Sequence, residues 1–245
     1  MARLNLSFWK KFLDGTPEYL ARHYWWAYLW RPAIWFFDHQ PIINLILFGQ
    51  YQRLLKQTLQ CLQNRPAGRF LQLTCVYGKL TPSLLNHLDD QPLFLVDVAT
   101  AQLEASRNKL EPEQRSQLLP ARMNAESLAF QENSFATILI FFLMHEMPAT
   151  ARQHTLTETL RVMQPGGQLV ITEYGEQPRH HWIYRLWPLR QQLTYWEPFL
   201  NDFWQEDVSS ILQQEANKLG KTLRQIEVHK VFGGFYRILV YEMDS

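Results

Sequence analysis

The stretch "FLQLTCVYGKLTPSLLNHL", residues 70–88, decides how the chain is read. Its first part, "RFLQLTCV" from residue 69, is a short apolar run of the kind that forms a buried strand. Its last part, "TPSLLNHLDD", carries leucines at helical spacing behind a proline that suits a first helical turn. Strand, turn and helix in that order predict the opening of an α/β domain. The turn between them is unusual. A backbone that must approach a ligand closely uses glycine, because a Cβ would collide, yet Thr74, Val76 and Tyr77 all carry side chains and only Gly78 does not.

Working outward, "LFLVDVA" is strand-like, "TAQLEASRNKLEPE" is helix-like, "FATILIFFLM" is a buried strand, "ATARQHTLTETLRVM" is a helix and "GGQLVITEYG" is another strand. "QPGG" at 164–167 marks a turn between that helix and that strand. The ending "LRQIEVHKVFGGFYRILVYEMD" predicts two strands joined around Gly233 and Gly234. The alternation implies a mostly parallel sheet wrapped by helices and finished by an antiparallel hairpin. Residues 1–65 are expected to form a helical, aromatic-rich extension. Residues 66–245 form the α/β domain, with a ring-rich insertion at 176–220.

At 245 residues and 47% hydrophobic composition the chain can bury one sizeable core. Twenty-four basic and 23 acidic residues leave a net charge of +1, so no global field favours nucleic acid, and no nucleic-acid partner is expected. Cys61 and Cys75 form neither a disulfide framework nor a CxxC metal spacing and read as packed thiols in a reducing compartment. Rings make up 14% of the chain, a content suited to interfaces and flat ligands or to an aromatic core. The longest apolar runs, "AIWFF" and "PIINLILFG", are separated by Asp38, His39 and Gln40 and fall short of the ~20 residues that span a bilayer. The beginning, "MARLNLSFWKKFL", lacks a secretory signal. It reads as a packed helix, with a membrane-surface helix or an organelle-targeting segment as alternatives.

The series from residue 66 to about 175 resembles the class I S-adenosylmethionine-dependent methyltransferases, which implies a Rossmann-like, seven-stranded fold. "LTCVYGKLT" keeps only Gly78 of that family's glycine-rich turn. "LFLVDVATAQLEASRNKL" resembles its second motif. The resemblance therefore implies that Asp97, with Val98 beside it, accepts hydrogen bonds from the ribose diol of S-adenosylmethionine; the alternative is a carboxylate that caps the next helix. "MNAESLAFQENSFATILI" resembles the adenine-side segment and implies that Asn124, Ala125 and Glu126 lie near the base, with Ala136 where the family carries an Asp. Pro165, Gly166 and Gly167 match a structural turn. "FFDHQPIINLILFGQYQRL" resembles the quinone-biosynthesis branch at Asp38, Asn44, Phe48 and Gly49, and "HYWWAYLW", "CVYGKLTP" and "MHEMP" resemble its rhodoquinone-forming members.

That resemblance implies an exchange on ubiquinone, in which a ring methoxy group gives way to an amino group whose nitrogen comes from S-adenosylmethionine, with manganese (Mn2+) required. On this expectation Thr74, Val76, Tyr77 and Gly78 re-seat the methionyl arm so that its amine, and not its methyl group, faces the quinone; Tyr77 stacks on the ring or donates a hydrogen bond. The bland alternative is drift in a scaffold that binds the cofactor loosely. A divalent cation on the quinone oxygens would act as a Lewis acid, and a base would free the amine. "LMHEMP" supplies His145 and Glu146 as candidates for ligand or base just after a buried strand, with Glu173 as a third and His180 and His181 as a solvated loop pair. Trp25, Trp26, Trp30, Trp35 and Phe36, with Trp182, Trp187 and Trp196, are expected to form a greasy entry and an anchor on the membrane surface. Arg22, Arg31, Arg179, Arg185 and Arg190 would face lipid phosphates. The expected location is peripheral to a bacterial inner membrane on its cytoplasmic side, or to the mitochondrial inner membrane. A conventional methyltransferase of a quinone or other lipid, and a catalytically silent accessory protein, are the competing readings.

Overall fold

The computed structural model describes residues 15–244. The expected seven strands are β1 (Phe70–Leu73), β2 (Leu93–Asp97), β3 (Leu118–Arg122), β4 (Phe135–Phe141), β5 (Met163–Tyr174), β6 (Leu223–Val231) and β7 (Tyr236–Met243), in sheet order β3-β2-β1-β4-β5-β7-β6. The first five are parallel, and β7 runs antiparallel between β5 and β6. In register, Leu73 faces Val96 and Ile140 on its two neighbours. The carboxyl ends of β1, β2 and β4 therefore align, and Thr74, Asp97 and Phe142 emerge along one rim. Both faces of the central strands are covered: Leu73, Leu95, Ile138 and Ile140 have no exposed surface, as a helix-wrapped parallel sheet requires.

Two details differ from the sequence reading. "LLPAR", not read as a strand, is the edge strand β3, where Pro120 is tolerated because the outer side of an edge needs no ladder donor. "QPGG" is a turn taken inside β5: pairing jumps from Phe135 opposite Met163 to Thr137 opposite Gln168, and the intervening residues loop out. A Cβ on Gly167 would lie 2.7 Å from the Gln164 carbonyl oxygen, so this tight return needs glycine there.

The extension is a chain of short helices, α1 (Glu18–His23), α2 (Trp25–Tyr28), α3 (Arg31–Phe37) and α4 (Gln40–Ile46), leading into α5 (Tyr51–Cys61). Pro32 and Pro41 sit in the first turns of α3 and α4, where proline starts a helix and cannot continue a preceding one. Helix α5 buries Tyr51, Leu54, Leu55 and Thr58, a single face at helical spacing. That face joins the core of the sheet, and the Thr58 hydroxyl meets that of Thr172 on β5 at 2.7 Å.

Helices α6 (Leu80–His87), α7 (Thr100–Asn108), α8 (Pro112–Gln117) and α9 (Ala149–Val162) make the crossovers. The insertion folds as α10 (Trp182–Arg185), α11 (Trp187–Trp196) and α12 (Leu200–Gln205), and α13 (Val208–Lys218) leads to β6. Phe203 and Trp204 pin the insertion to the core. Among the described residues no helix is long and apolar enough to cross a membrane. Residues 1–13, read as a surface or targeting helix, lie outside the described part.

Candidate functional site

The carboxyl rim of the sheet, roofed by the extension and the insertion, encloses a cavity of about 200 Å³. Thr74, Cys75, Val76, Tyr77, Asp97, Val98, Asn124, Ala125, His145 and Glu146 all line it. Residues separated by up to 72 positions are thus brought together around one cavity.

The turn after β1 keeps a glycine-like path without glycines. Thr74 has φ +75°, a left-handed conformation that costs a β-branched residue energy. It is held by its N–H donating to Val96 O at 2.9 Å and its carbonyl accepting from Gln72 Nε2 at 3.0 Å. Asp97 accepts from Cys75 N at 2.9 Å and from Ala99 N at 2.7 Å. Burial pushes its carboxyl up to about 6 against the opposing pull of these N–H groups. Asp97 thus secures the start of α7, as the capping alternative expected, and it also lines the cavity. Asn124 Oδ1 accepts from Glu126 N at 3.0 Å, which shapes the loop in front of Asp97.

Gly78 differs from its expected role. It lies behind the turn, not on the cavity wall, with its N–H donating to Asp38 Oδ1 at 2.7 Å. A Cβ there would stand 2.6 Å from the Tyr51 hydroxyl oxygen at φ +83°. Lys109 Nζ bridges Asp38 Oδ1 at 2.7 Å and the Gly78 carbonyl at 3.0 Å, and the Lys79 N–H donates to Tyr51 at 2.6 Å. The one retained glycine is where the extension clamps the turn.

Tyr77 is similarly committed. Its hydroxyl donates to Ala27 O at 2.5 Å and accepts from Gln102 at 3.2 Å, and its ring stacks on Tyr28 with centroids 5.8 Å apart. A free ring or hydroxyl for a bound quinone, the sequence expectation, is not what this arrangement offers; Tyr77 ties the roof to the floor.

On the same rim, after the neighbouring strand β4, lies an acidic cluster around one imidazole. A 3-10 turn at Met144–Glu146 bends the chain after β4, so the neighbours His145 and Glu146 both reach the cavity instead of pointing apart. Glu173, wholly buried at the end of β5, accepts from the N–H groups of Met144 and Tyr174 at 3.0 and 2.8 Å. One of its oxygens lies 2.8 Å from His145 Nδ1, an ion-pair contact off the line of a hydrogen bond. His145 Nε2 is thereby turned toward Glu146 and Glu197, each 3.9 Å away.

Burial disfavours charge on this imidazole, but Glu173, Glu197 and Glu146 outweigh it and hold His145 up at about 9. Burial, with repulsion from Glu197 and only partial relief from His145, pushes Glu146 up to about 8; Glu197 is raised by burial as well. The donor atoms of His145, Glu146 and Glu197 lie within 4.8 Å of one another. One imidazole nitrogen and two carboxylate oxygens, buttressed by a buried carboxylate behind the histidine, suit a divalent cation such as manganese, whose charge would relieve the repulsion.

Glu197 was not singled out in the sequence. Its signal is slight: a lone acid in the ring-rich "TYWEPF" between α11 and α12. Tyr24 and Tyr28 were likewise missed, although their spacing of four puts both hydroxyls on one side of the extension. Tyr24 donates to Glu197 at 2.9 Å and Tyr28 to Glu146. His181 is buried, not solvated: its Nδ1 caps Ile183 N at 3.3 Å and its ring packs on Phe232 and Phe235, while His180 is exposed.

Trp25, Trp30, Trp35 and Phe36 from the extension and Trp182, Trp187 and Trp196 from the insertion are all about half exposed or more. Trp26 bridges the two groups by an edge contact with Trp196 at 5.4 Å. Arg22 and Arg31 are engaged with Glu18 and Glu104 in exposed pairs, and Arg190 lies over the Tyr184 ring. Arg179 and Arg185 are exposed.

A family profile described as the ubiE/COQ5 methyltransferase family matches residues 38–191. The ubiquinone/menaquinone biosynthesis C-methyltransferase UbiE of Vibrio campbellii is 30% identical over 138 residues, covering 55% of this chain and 52% of that protein. The demethylmenaquinone methyltransferase of Bacillus cereus is 25% identical over 141 residues, 57% of this chain and 59% of that one. The chain therefore spans between half and three-fifths of the length of these curated relatives. Among solved structures, the N-methyltransferase NodS of Bradyrhizobium japonicum with S-adenosyl-L-homocysteine superposes with a TM-score of 0.56 at 16% identity, over 85% of this chain and 90% of that one. A SAM dependent methyltransferase from Aquifex aeolicus superposes at 0.55 and 17%, over 88% and 98%. At such identities the likeness is one of fold.

Proposed function

The chain belongs to the ubiE/COQ5 methyltransferase family, and from that premise we propose that it acts on ubiquinone with S-adenosylmethionine, replacing a ring methoxy group by an amino group to form rhodoquinone. The observation that carries this reading is the pairing, within one cavity, of a side-chain-filled turn at 74–77 with the buried His145–Glu146–Glu197 cluster. Transfer of a sulfonium methyl group to an activated acceptor is a single in-line displacement and calls for alignment above all. Substitution at a quinone carbon builds negative charge on oxygen, which calls for cationic stabilisation.

In this reading Asp97 accepts the ribose hydroxyls, and Asn124 with Ala125 borders the adenine. Thr74 and Val76 fill space under the methionyl arm and turn its amine toward the ring. His145, Glu146 and Glu197 would hold a manganese ion, which when bound supplies Lewis-acid polarisation of the quinone oxygens. Glu173 keeps the His145 ring turned toward it. The C–N bond forms as an electron pair moves onto the carbonyl oxygen; its return expels methoxide. The proton that nitrogen sheds equals the one methoxide gains, and the Tyr24 and Tyr28 hydroxyls are the proton-bearing groups beside the cluster. Release of nitrogen from the donor balances when the Cα proton, its bonding electron pair and the remaining N–H proton pass to the quinone; water then cleaves the resulting imine to a 2-oxo acid and an aminohydroquinone, which is rhodoquinone in its two-electron-reduced form.

The half-exposed tryptophans support a peripheral seat on a membrane surface, where a tailed quinone dwells, on the cytoplasmic side of a bacterial membrane or on the mitochondrial inner membrane. Flotation with liposomes should carry the protein upward, and a Trp30→Ala/Trp35→Ala/Trp187→Ala variant should stay behind. Equal flotation of both would remove this part of the reading.

A conventional quinone methyltransferase is the second reading, favoured by the names of the curated relatives. Mass analysis of quinones from cells expressing the chain, fed S-adenosylmethionine labelled with heavy nitrogen at the α-amine, separates the two. An amino-for-methoxy exchange carrying the label is expected. A methyl gain would establish the second reading, and unaltered quinones would point to an accessory protein.

A further inference from the structure

A second cluster of metal-binding groups lies away from the cavity, at the opposite end of α5. Cys61 closes that helix, and Glu227 and His229 stand two residues apart on the edge strand β6; a sulfur, a carboxylate oxygen and an imidazole nitrogen from the three lie within 4.8 Å of one another. Glu227 and His229 are already paired at 2.7 Å. None of the three lines the cavity described above.

The way β6 presents these residues argues for a built arrangement. The register of β6 against β7 shifts between Gln225 and Glu227, so Ile226 is an extra residue in the strand. A bulge of this kind turns the following side chains to the other face. Gln225 reaches Ser209 of α13 on one face of the sheet, while Glu227 and His229 meet Cys61 of α5 on the other. Without the bulge, period-two alternation would send Gln225 and Glu227 to the same side. The irregularity is what delivers carboxylate and imidazole to the thiol.

We propose that Cys61, Glu227 and His229 form a binding site for a borderline-soft divalent cation, with Zn2+ as the natural occupant by ligand chemistry. Thiolate, imidazole and carboxylate are the three donor types that zinc takes, and three protein ligands leave a fourth position for water. The thiol gives up its proton on binding, as any cysteine ligand does. The site joins the last turn of α5 to the sheet's edge strand. Tyr51, at the first turn of the same helix, holds the Lys79 N–H beneath the turn, so an ion at Cys61 would fasten the opposite end of the helix that anchors the roof. This site and the reading of the cavity stand or fall separately, since they share no residue.

Cobalt is a suitable probe, because thiolate ligation gives it a charge-transfer band that oxygen and nitrogen donors alone do not. Full-length protein stripped of metal and titrated with Co2+ should develop that band together with tetrahedral d–d absorption, and Zn2+ should abolish both by displacement. Cys61→Ser should lose the charge-transfer band, and His229→Gln and Glu227→Gln should weaken Co2+ binding. His145→Ala should keep the band, which separates this site from the cavity cluster, and Cys75→Ser, removing the other thiol, should keep it as well. Circular dichroism of each variant checks the fold; Glu227 and His229 are exposed enough that their variants test the site even if Cys61→Ser unfolds. Absence of a thiolate band in the wild type, or its survival in Cys61→Ser, would overturn the proposal.

Discussion

The two ends of the cavity are made in different ways. At the Asp97 end the walls are strand termini and the turns directly after them, and Asp97 is fixed by the N–H groups of Cys75 and Ala99 at the sheet rim itself. At the His145 end one imidazole meets carboxylates from three segments, Glu146, Glu173 and Glu197, and two of these take hydroxyls from the extension, Tyr28 and Tyr24. The first end follows from sheet register alone. The second exists only when extension and insertion close over the sheet. On the proposed reading, a cofactor end built from the sheet's own strand ends, beside a reactive end assembled from distant parts, would let a common fold keep its ligand while its chemistry changes.

The comparison is tested most severely at the reactive end. Glu146→Gln or Glu197→Gln removes a buried carboxylate from the cluster while leaving volume nearly unchanged. Rates of quinone product formation should fall by about 10²-fold or more, the scale of losing one preorganised electrostatic group. Binding of S-adenosylmethionine, followed by calorimetry, should change by less than about threefold. Parallel losses of binding and rate would mean that the two ends are not separate.

At the cofactor end Asp97→Ala should do the reverse. A net loss of one hydrogen bond to a charged group, about 1.5–3 kcal/mol, weakens cofactor binding by roughly 10- to 100-fold. The cluster around His145, read out by its affinity for Mn2+, should be untouched. Unimpaired cofactor binding would remove Asp97 from the ribose role and leave it only the capping of α7.

Gly78→Ala probes the seam between the two ends. A Cβ 2.6 Å from the Tyr51 oxygen and 2.9 Å from Ile43 Cδ1, at positive φ, cannot be absorbed without moving α5 or α4. A stability loss of about 2 kcal/mol in denaturant unfolding is expected from overpacking and left-handed strain. Faster amide exchange should appear at residues 78 and 79, whose N–H groups are held by the extension.

The pH dependence of cofactor binding sharpens the same contrast. Asp97 titrates near 6 in the folded protein, above the ordinary 3.8, because burial penalises its charge. It is an acceptor above that value and protonated below it, so affinity should be level above pH 7 and drop about tenfold per unit below about 6. The sign for stability is opposite. A carboxyl whose folded pKa is raised favours the native state most below its unfolded value, and that contribution disappears as pH rises through 6. Acidification from 6 toward 4 should therefore weaken the ligand without weakening the fold through this group.

How much of this was legible beforehand follows the same division. Except for the edge strand β3, whose "LLPAR" is neither a long apolar run nor free of proline, strands, crossovers and the closing hairpin show in the sequence because each is a local pattern, an apolar run or a leucine spacing bounded by a turn, and Asp97 shows because it ends such a run. His145 and Glu146 also follow a strand directly. Glu197 lies 51 positions after Glu146, with no periodicity linking them, and becomes a neighbour only through the packing of Phe203 and Trp204. The role of Tyr77 was misread for a related reason. Beside a ligand-binding turn an aromatic ring reads as a ligand contact, and only the tertiary structure reveals that Tyr28 and Ala27 have taken its face and hydroxyl.

Tyr77→Phe gives the smallest effect and the most direct test of that correction. The substitution keeps the ring, its stacking on Tyr28 and the cavity volume, and removes one hydroxyl that donates to Ala27 O and accepts from Gln102. If Tyr77 holds the roof, the loss is that of one partly buried hydrogen bond, about 1 kcal/mol in unfolding free energy. KM for the quinone would then rise modestly as the extension loosens, with kcat nearly unchanged. A hydroxyl that served the reacting quinone would give the opposite split, a fall in kcat at constant stability. Tyr77→Leu extends the comparison: it removes the stacked face too, and should loosen the roof further, with cofactor affinity still set by Asp97.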